Sequence, residues 1–239
     1  MFKRHVASPA IDWEHKFQQK LKLVKNPQLQ SFYQAGVQAG DTPIEDVVFL
    51  AMDFETTGLN AKEDEILTIG TVPFTLNRIF LNKAKHWTVR PRRQLEEDSV
   101  VIHGITHSDI LDAPDFEDIY ADVLAEMSGK ILVVHYHQIE RKFLDRALKS
   151  RVKEGIEFPV VDTLALESMV QKKVNGGLLN RLKGKRPQSV RLGQSRTRYC
   201  LPAYTPHHAL TDAIATAELL QAQIAYNYDK QEPLKNFWL

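Results

Sequence analysis

The chain has 239 residues, 43% hydrophobic and 26% charged, which suits one soluble domain with extensions or two small ones. Its single cysteine, Cys200, excludes an internal disulfide and a thiolate metal cluster; no run approaches the ~18 apolar residues of a membrane helix, and the polar N-terminal stretch lacks a signal-peptide core, so the expected setting is the cytoplasm. The net charge of +1 hides an uneven distribution: Ser168 to Thr211 holds nine cations and no acid, against 22 basic and 30 acidic residues elsewhere.

Residues 1 to about 40 carry Phe17, Leu21, Val24, Leu29 and Phe32 at helical spacing, which predicts amphipathic helices broken near Pro27. Turn chemistry at Gly40-Asp41-Thr42-Pro43 divides a helical extension, 1–43, from a main domain, 44–226, followed by a tail, 227–239. The continuous apolar run Val47 to Met52 reads as a central buried strand. Strands follow at 66–76 and 86–89, then a helix at 116–127, a buried strand at 131–134 and a helix at 138–153. A short strand at 160–161 runs into a helix from Thr163. Periodicity is weak from 172 to 205. Thr205-Pro206 then opens a helix with Leu210, Ile214, Ala217, Leu220 and Ile224 on one side. Three early strands followed by strand–helix alternation predict an α/β sandwich with a five-stranded mixed sheet. Ligands of such sheets bind beyond the carboxyl ends of strands.

Acids stand at those ends. Asp53 and Glu55 close the first strand and, two residues apart, share a face. Adjacent carboxylates stay ionised most easily around a cation, and hard oxygen donors suit Mg²⁺ or Mn²⁺. The same pair also serves as a solvated strand end, so Asp-x-Glu alone decides little. Glu140 follows the strand at 131–134, at the edge of a helix face formed by Ile139, Phe143 and Ala147. His207 and Asp212 converge only if His207 belongs to the loop before the last helix, because they stand ~140° apart on an ideal one. A loop histidine suits a general base near neutral pH.

Together these segments resemble the DEDDh branch of the DnaQ-like 3′–5′ exonucleases, a group that includes the proofreading epsilon subunit of bacterial DNA polymerase III, RNase T and oligoribonuclease. Asp53 to Leu59 matches the family's Asp-x-Glu-Thr-Thr-Gly-Leu, and His207, Ala209 and Asp212 match its His-x-Ala-x-x-Asp. Ile102-His103-Gly104-Ile105-Thr106 and Val161-Asp162-Thr163-Leu164 look like its His-Gly-Ile-Thr and Asp-Thr-Leu segments. The resemblance runs from about Val47 to Gln223 and implies an RNase H-like fold. It implies two Mg²⁺ or Mn²⁺ ions held by Asp53, Glu55, Glu140 and Asp212, with His207 as the base. Thr56, Thr57, Leu59 and His103 would contact the terminal nucleotide. Arg196, Arg198 and the rest of the basic span would hold phosphates, and Tyr199 or Tyr204 would stack on bases.

One departure stands out. In the family's middle motif, His-Asn-x-x-Phe-Asp, this chain has Tyr136 for Asn, Ile139 for Phe and Glu140 for Asp. Asp145 is out of register as a substitute. The main expectation is a metal-dependent exonuclease acting on the 3′ end of single-stranded DNA or RNA, in proofreading or repair. The alternative is a weak or inactive 3′-end binding module, because Glu140 replaces Asp. The ending Gln231 to Leu239 loosely resembles a sliding-clamp-binding peptide, which would add a polymerase or clamp as partner. The sequence leaves oligomeric state open.

Overall fold

In the computed structural model, which describes residues 11–93, 110–175 and 188–239, six strands form one mixed sheet. They are β1 (Phe49–Thr56), β2 (Ile66–Thr75), β3 (Arg78–Ile79), β4 (Lys85–Thr88), β5 (Ile131–Val134) and β6 (Val160–Asp162). β1 runs antiparallel to β2 and parallel to β5, and β5 runs parallel to β6. β3 and β4 pair with different lengths of β2, so the sheet has five ranks with a short sixth strand. The central strand is the apolar run foreseen from sequence, and its interior residues Phe49, Leu50, Ala51 and Met52 are fully buried.

The flanking helices are α1 (Trp13–Leu23), α2 (Pro27–Gln34), α3 (Phe116–Met127), α4 (Gln138–Val152), α5 (Thr163–Asn175), α6 (Leu192–Arg198) and α7 (Ala209–Asn227). α7 lies across β1 and β2 and touches α5 and α6, while α4 packs on β1 and α3. Pro27 is the first residue of α2, where Asn26 caps the helix by accepting from the Gln28 and Leu29 N–H groups. No described helix is long and apolar enough to cross a membrane.

Two helix faces differ from their sequence expectation. On α7 the wholly buried positions include Ala209, Ala213, Ala217, Leu220 and Ile224 on one side and Thr216, Leu219 and Gln223 beside them, whereas Leu210 and Ile214 are only half-buried. Small side chains let this helix lie directly on β2: a β-carbon at Gly70 would run into the backbone of Ala209 and Leu210. On α4 the inward face is Glu140, Phe143, Leu144 and Leu148, which turns Glu140 inside and leaves Ile139 half-buried.

The segments before and after the sheet share its core. Trp13 and Phe17 of α1 pack with Phe32 and Tyr33 of α2, with ring centroids 5.0–6.4 Å apart. Leu234, Phe237 and Trp238 are also buried in that cluster. The tail adds to the β6 edge, where Val161 bridges Trp238 and the Leu239 N–H donates to Val160 O at 2.9 Å. Trp13 Nε1 and Arg141 Nη2 both donate to Leu239 O. This corrects the clamp-peptide expectation: the tail's apolar residues are spent covering a strand edge, so they form no free peptide. Trp238→Ala should destabilise the fold by about 3–5 kcal/mol, read as a lower urea midpoint at unchanged slope.

Candidate active site

The site begins with the register of β1. Asp53 pairs with Gly70 and Glu55 with Thr68, so both acids project on the face that α7 covers. Because Gly70 admits the start of α7, Asp212, in the first turn of that helix, comes down beside them. Oxygens of Asp53, Glu55 and Asp212 lie within 4.8 Å of one another. Glu140 reaches the same region from α4. It is 2% exposed, and its Oε2 has no hydrogen-bond partner among the described residues.

This crowding shows in the acidities. Burial and the charges of Glu140, Asp212 and Glu55 push the Asp53 carboxyl well above the usual range. Burial likewise raises Glu140, with Asp162 adding to it. Asp212 is raised by burial, although donation from Tyr204 and from the His207 and His208 N–H groups offsets part of the effect. Three clustered carboxylates and one orphaned buried carboxylate oxygen are hard donors of one sign. That set fits a divalent cation such as Mg²⁺ or Mn²⁺.

His207 belongs to the loop, as the sequence required. α7 starts at Ala209, and His207 is exposed with φ of 70°. Its N–H donates to Asp212 Oδ2 at 2.8 Å, joined by the His208 N–H at 3.3 Å. Both His207 and Asp212 line a cleft of about 790 Å³ with Asp53, Glu55 and His135.

The other expected contact residues fall in three groups. Thr56 and Thr57 shape the turn after β1: Thr56 Oγ1 donates to Gly58 O at 2.6 Å and Thr57 Oγ1 to Asp64 Oδ1 at 3.1 Å. Leu59 projects from that turn, 84% exposed. His103 lies outside the described residues, as do positions 176–187 of the basic span. Arg196 and Arg198 are corrections, since neither guanidinium is free for phosphate. Arg196 is 3% exposed and pairs with Glu218, and Arg198 pairs with the buried Glu167. Tyr199 likewise donates to Glu167, away from the cleft, while Tyr204 lines the cleft. Sequence reasoning gave no site role to Gln194 or Thr197, which line the cleft with Arg191, a member of the basic span expected to hold phosphates. Arg191 is exposed there, and its place in the basic span was the one available signal.

A turn at the end of β5 sets the approach of Glu140. Tyr136 has φ of 89°, an unusual value for a tyrosine, and is held there by Asp162. Asp162 accepts from the Tyr136 N–H at 3.1 Å, the His137 N–H at 3.0 Å and His137 Nδ1 at 2.7 Å. His135 spans from Thr163 Oγ1 to Val190 O, tying the strand end to the cleft wall. Burial alone would raise the Asp162 carboxyl, but the His137 ring and the two backbone donors hold it below its ordinary value. A carboxyl whose pKa falls on folding stabilises the protein above its unfolded pKa of roughly 3.9 and loses that contribution as pH falls through the folded value. The stability gap between the parent and Asp162→Asn, measured by urea unfolding, should therefore narrow from about pH 5 downward.

Comparison with known proteins agrees with this geometry. Residues 50–220 match the RNase T family model, described as Exonuclease. DNA polymerase III subunit epsilon of Treponema pallidum is 30% identical over 183 residues, covering 77% of this chain and 79% of that protein. The PolC-type DNA polymerase III of Thermotoga petrophila is 28% identical over 179 residues; the match spans 75% of this chain but only 12% of that polymerase. The nuclease domain of 3′hExo, a DEDDh family member solved with rAMP, superimposes with a TM-score of 0.58 at 17% identity, covering 75% of this chain and 92% of that one. The chain belongs to the RNase T family of exonucleases.

Proposed function

We propose that this exonuclease hydrolyses single-stranded DNA from the 3′ end, releasing nucleoside 5′-monophosphates. The observation that carries the reading is the cluster of Asp53, Glu55 and Asp212 beside an exposed loop histidine in one cleft, with the buried Glu140 near enough for its charge to act on Asp53. Asp53, Glu55, Glu140 and Asp212 would hold two Mg²⁺ or Mn²⁺ ions, which when bound supply charge neutralisation at the reacting phosphate. His207 takes a proton from the attacking water at an imidazole nitrogen. The water oxygen bonds to the terminal phosphorus while the bond to the preceding 3′ oxygen breaks, and a chain one unit shorter leaves with a 3′ hydroxyl. Arg191 on the cleft wall is placed to meet the phosphates of the incoming strand. DNA is favoured over RNA by the polymerase III epsilon relative, although a structural neighbour is bound to rAMP. The same likeness makes proofreading or repair beside a polymerase, in the cytoplasm, the setting we infer.

With 3′-labelled single-stranded DNA and Mn²⁺, the parent should give a ladder shortening from the 3′ end that EDTA abolishes. His207→Ala and Glu140→Ala should each lower kcat by about 100-fold or more. Glu140→Asp should also lower it, by up to about 100-fold, because the shorter arm withdraws the carboxylate. Full activity in Glu140→Ala would remove Glu140 from the ligand set, and no release by the parent from any single strand would sink the reading in favour of a binding module.

Stability should move the other way. A carboxyl whose pKa rises on folding costs stability once pH passes its unfolded value. Asp53→Asn should therefore raise the melting temperature of the metal-free protein at pH 7 by at least about 2 °C, while removing activity and most of the rise caused by Mn²⁺. Calorimetric melting with EDTA or Mn²⁺ reads both effects.

A further inference from the structure

α6 has seven residues, too few to stand as a helix by its own hydrogen bonds. Yet Arg191, just before it, and Gln194 and Thr197 on it line the cleft that holds the acids. Side chains tie this segment down. Arg198, its last residue, donates from Nη1 to Ser189 O at 2.7 Å and from Nη2 to Ser195 Oγ at 3.0 Å, so one guanidinium gathers the entry and the body of the segment. Its Nε donates to Glu167 Oε1 of α5 at 2.8 Å. Glu167 is 1% exposed and also accepts from the Tyr199 hydroxyl at 3.0 Å and from Gln223 Nε2 and Gln171 Nε2, each at 3.1 Å. One residue on from Ser189, Val190 O accepts from His135 Nε2 at 3.0 Å, while His135 Nδ1 meets Thr163 Oγ1 at 2.8 Å. A carbonyl only accepts, so Nε2 carries a proton in this arrangement, whether or not the ring is charged.

We propose that Glu167, acting through Arg198, is a positioning residue for strand binding: it fixes the segment that presents Arg191 to the incoming phosphates, and His135 holds the same end of that segment from the end of β5. This rests on the reading that the cleft takes a single strand. Arg191 directly follows the two carbonyls so held. Apolar burial is non-directional and sets no particular distance or rotation, whereas bonds to one carboxylate set both. Four donors satisfy Glu167, and a fully satisfied buried network fixes a single arrangement. Arginine suits the role because its planar fork donates in several directions at once, which an ammonium does not do. Arg198 thus serves the strand by placing another cation, with its own guanidinium turned inward.

Arg198→Lys keeps the charge and removes the fork, at a position exposed enough to spare the fold. We would measure KM and kcat of the full chain on a 3′-labelled single strand at saturating Mn²⁺, with melting temperature alongside. KM should rise about 10-fold while kcat holds within about twofold, the pattern of lost strand binding. Glu167→Gln should move KM the same way, as should His135→Phe, which keeps a ring and removes the donor. Arg191→Ala should also raise KM, and adding Arg198→Lys to it should raise KM little further, because the two act along one route. Parental KM in Arg198→Lys would overturn the proposal, whether or not the melting temperature falls; a lysine would satisfy a direct phosphate contact but not the clamp. Multiplying effects of Arg191→Ala and Arg198→Lys would overturn the route through Arg191. Parental KM in His135→Phe would overturn the share given to His135 alone. A parent that shortens no single strand would remove the functional reading and the proposal with it, whereas an active parent beside unaffected variants would remove the proposal only.

Discussion

The acids converge because α7 lies so close to β2. Asp53 and Gly70 are paired in register and point toward the same helix, and Gly70 has no side chain to hold that helix off. Any β-carbon there would meet the backbone at the start of α7. Ala213 and Ala217, one and two turns further on, are small and buried as well. Asp212 therefore reaches two acids of a strand whose own hydrogen bonds leave it little freedom to shift. A larger residue at position 70 would separate the carboxylates without changing one of them, which makes this glycine part of the chemistry in effect.

That convergence is costly in the absence of a cation. Asp53 and Glu140 are both forced toward the neutral form, first by burial and then by neighbouring acids. The rest of the protein keeps the arrangement from relaxing. β1 is buried at every position but Asp53, Asp162 pins the strained turn before α4, and the tail with α1 closes the edge of β6. Local repulsion survives because the surroundings over-determine the backbone, and a bound divalent ion would turn the same repulsion into affinity.

Most strand positions and the gathering of Asp53, Glu55 and Asp212 were legible in the sequence, since buried strands are apolar runs and these acids stand at element ends. Helix rotation was less legible. α7 is covered on more than one side, by the sheet and by α5 and α6, so hydrophobicity could not tell that Ala213 rather than Ile214 faces the strands. Charge counting misled at Arg196 and Arg198, because it records cations but not their partners; Glu218 and Glu167 lie 22 and 31 residues away and meet them only in the fold. The tail misled for a related reason. An aromatic pair near a glutamine reads alike whether it docks into another protein or covers a strand edge of its own.

Glu140 joins both halves of that lesson. Read as a sequence, it departs from the family's Asp and lies at the margin of a helix face. In the structure α4 is turned so that Glu140 points straight inward, and its charge weighs on Asp53 ahead of those of Asp212 and Glu55. Yet its carboxylate is not among the three whose oxygens fall within 4.8 Å. An arm one methylene longer than aspartate's carries the carboxylate farther from its own helix. The Tyr136 turn and its Asp162 anchor set where that helix begins, so the longer side chain and the unusual turn belong to one local solution.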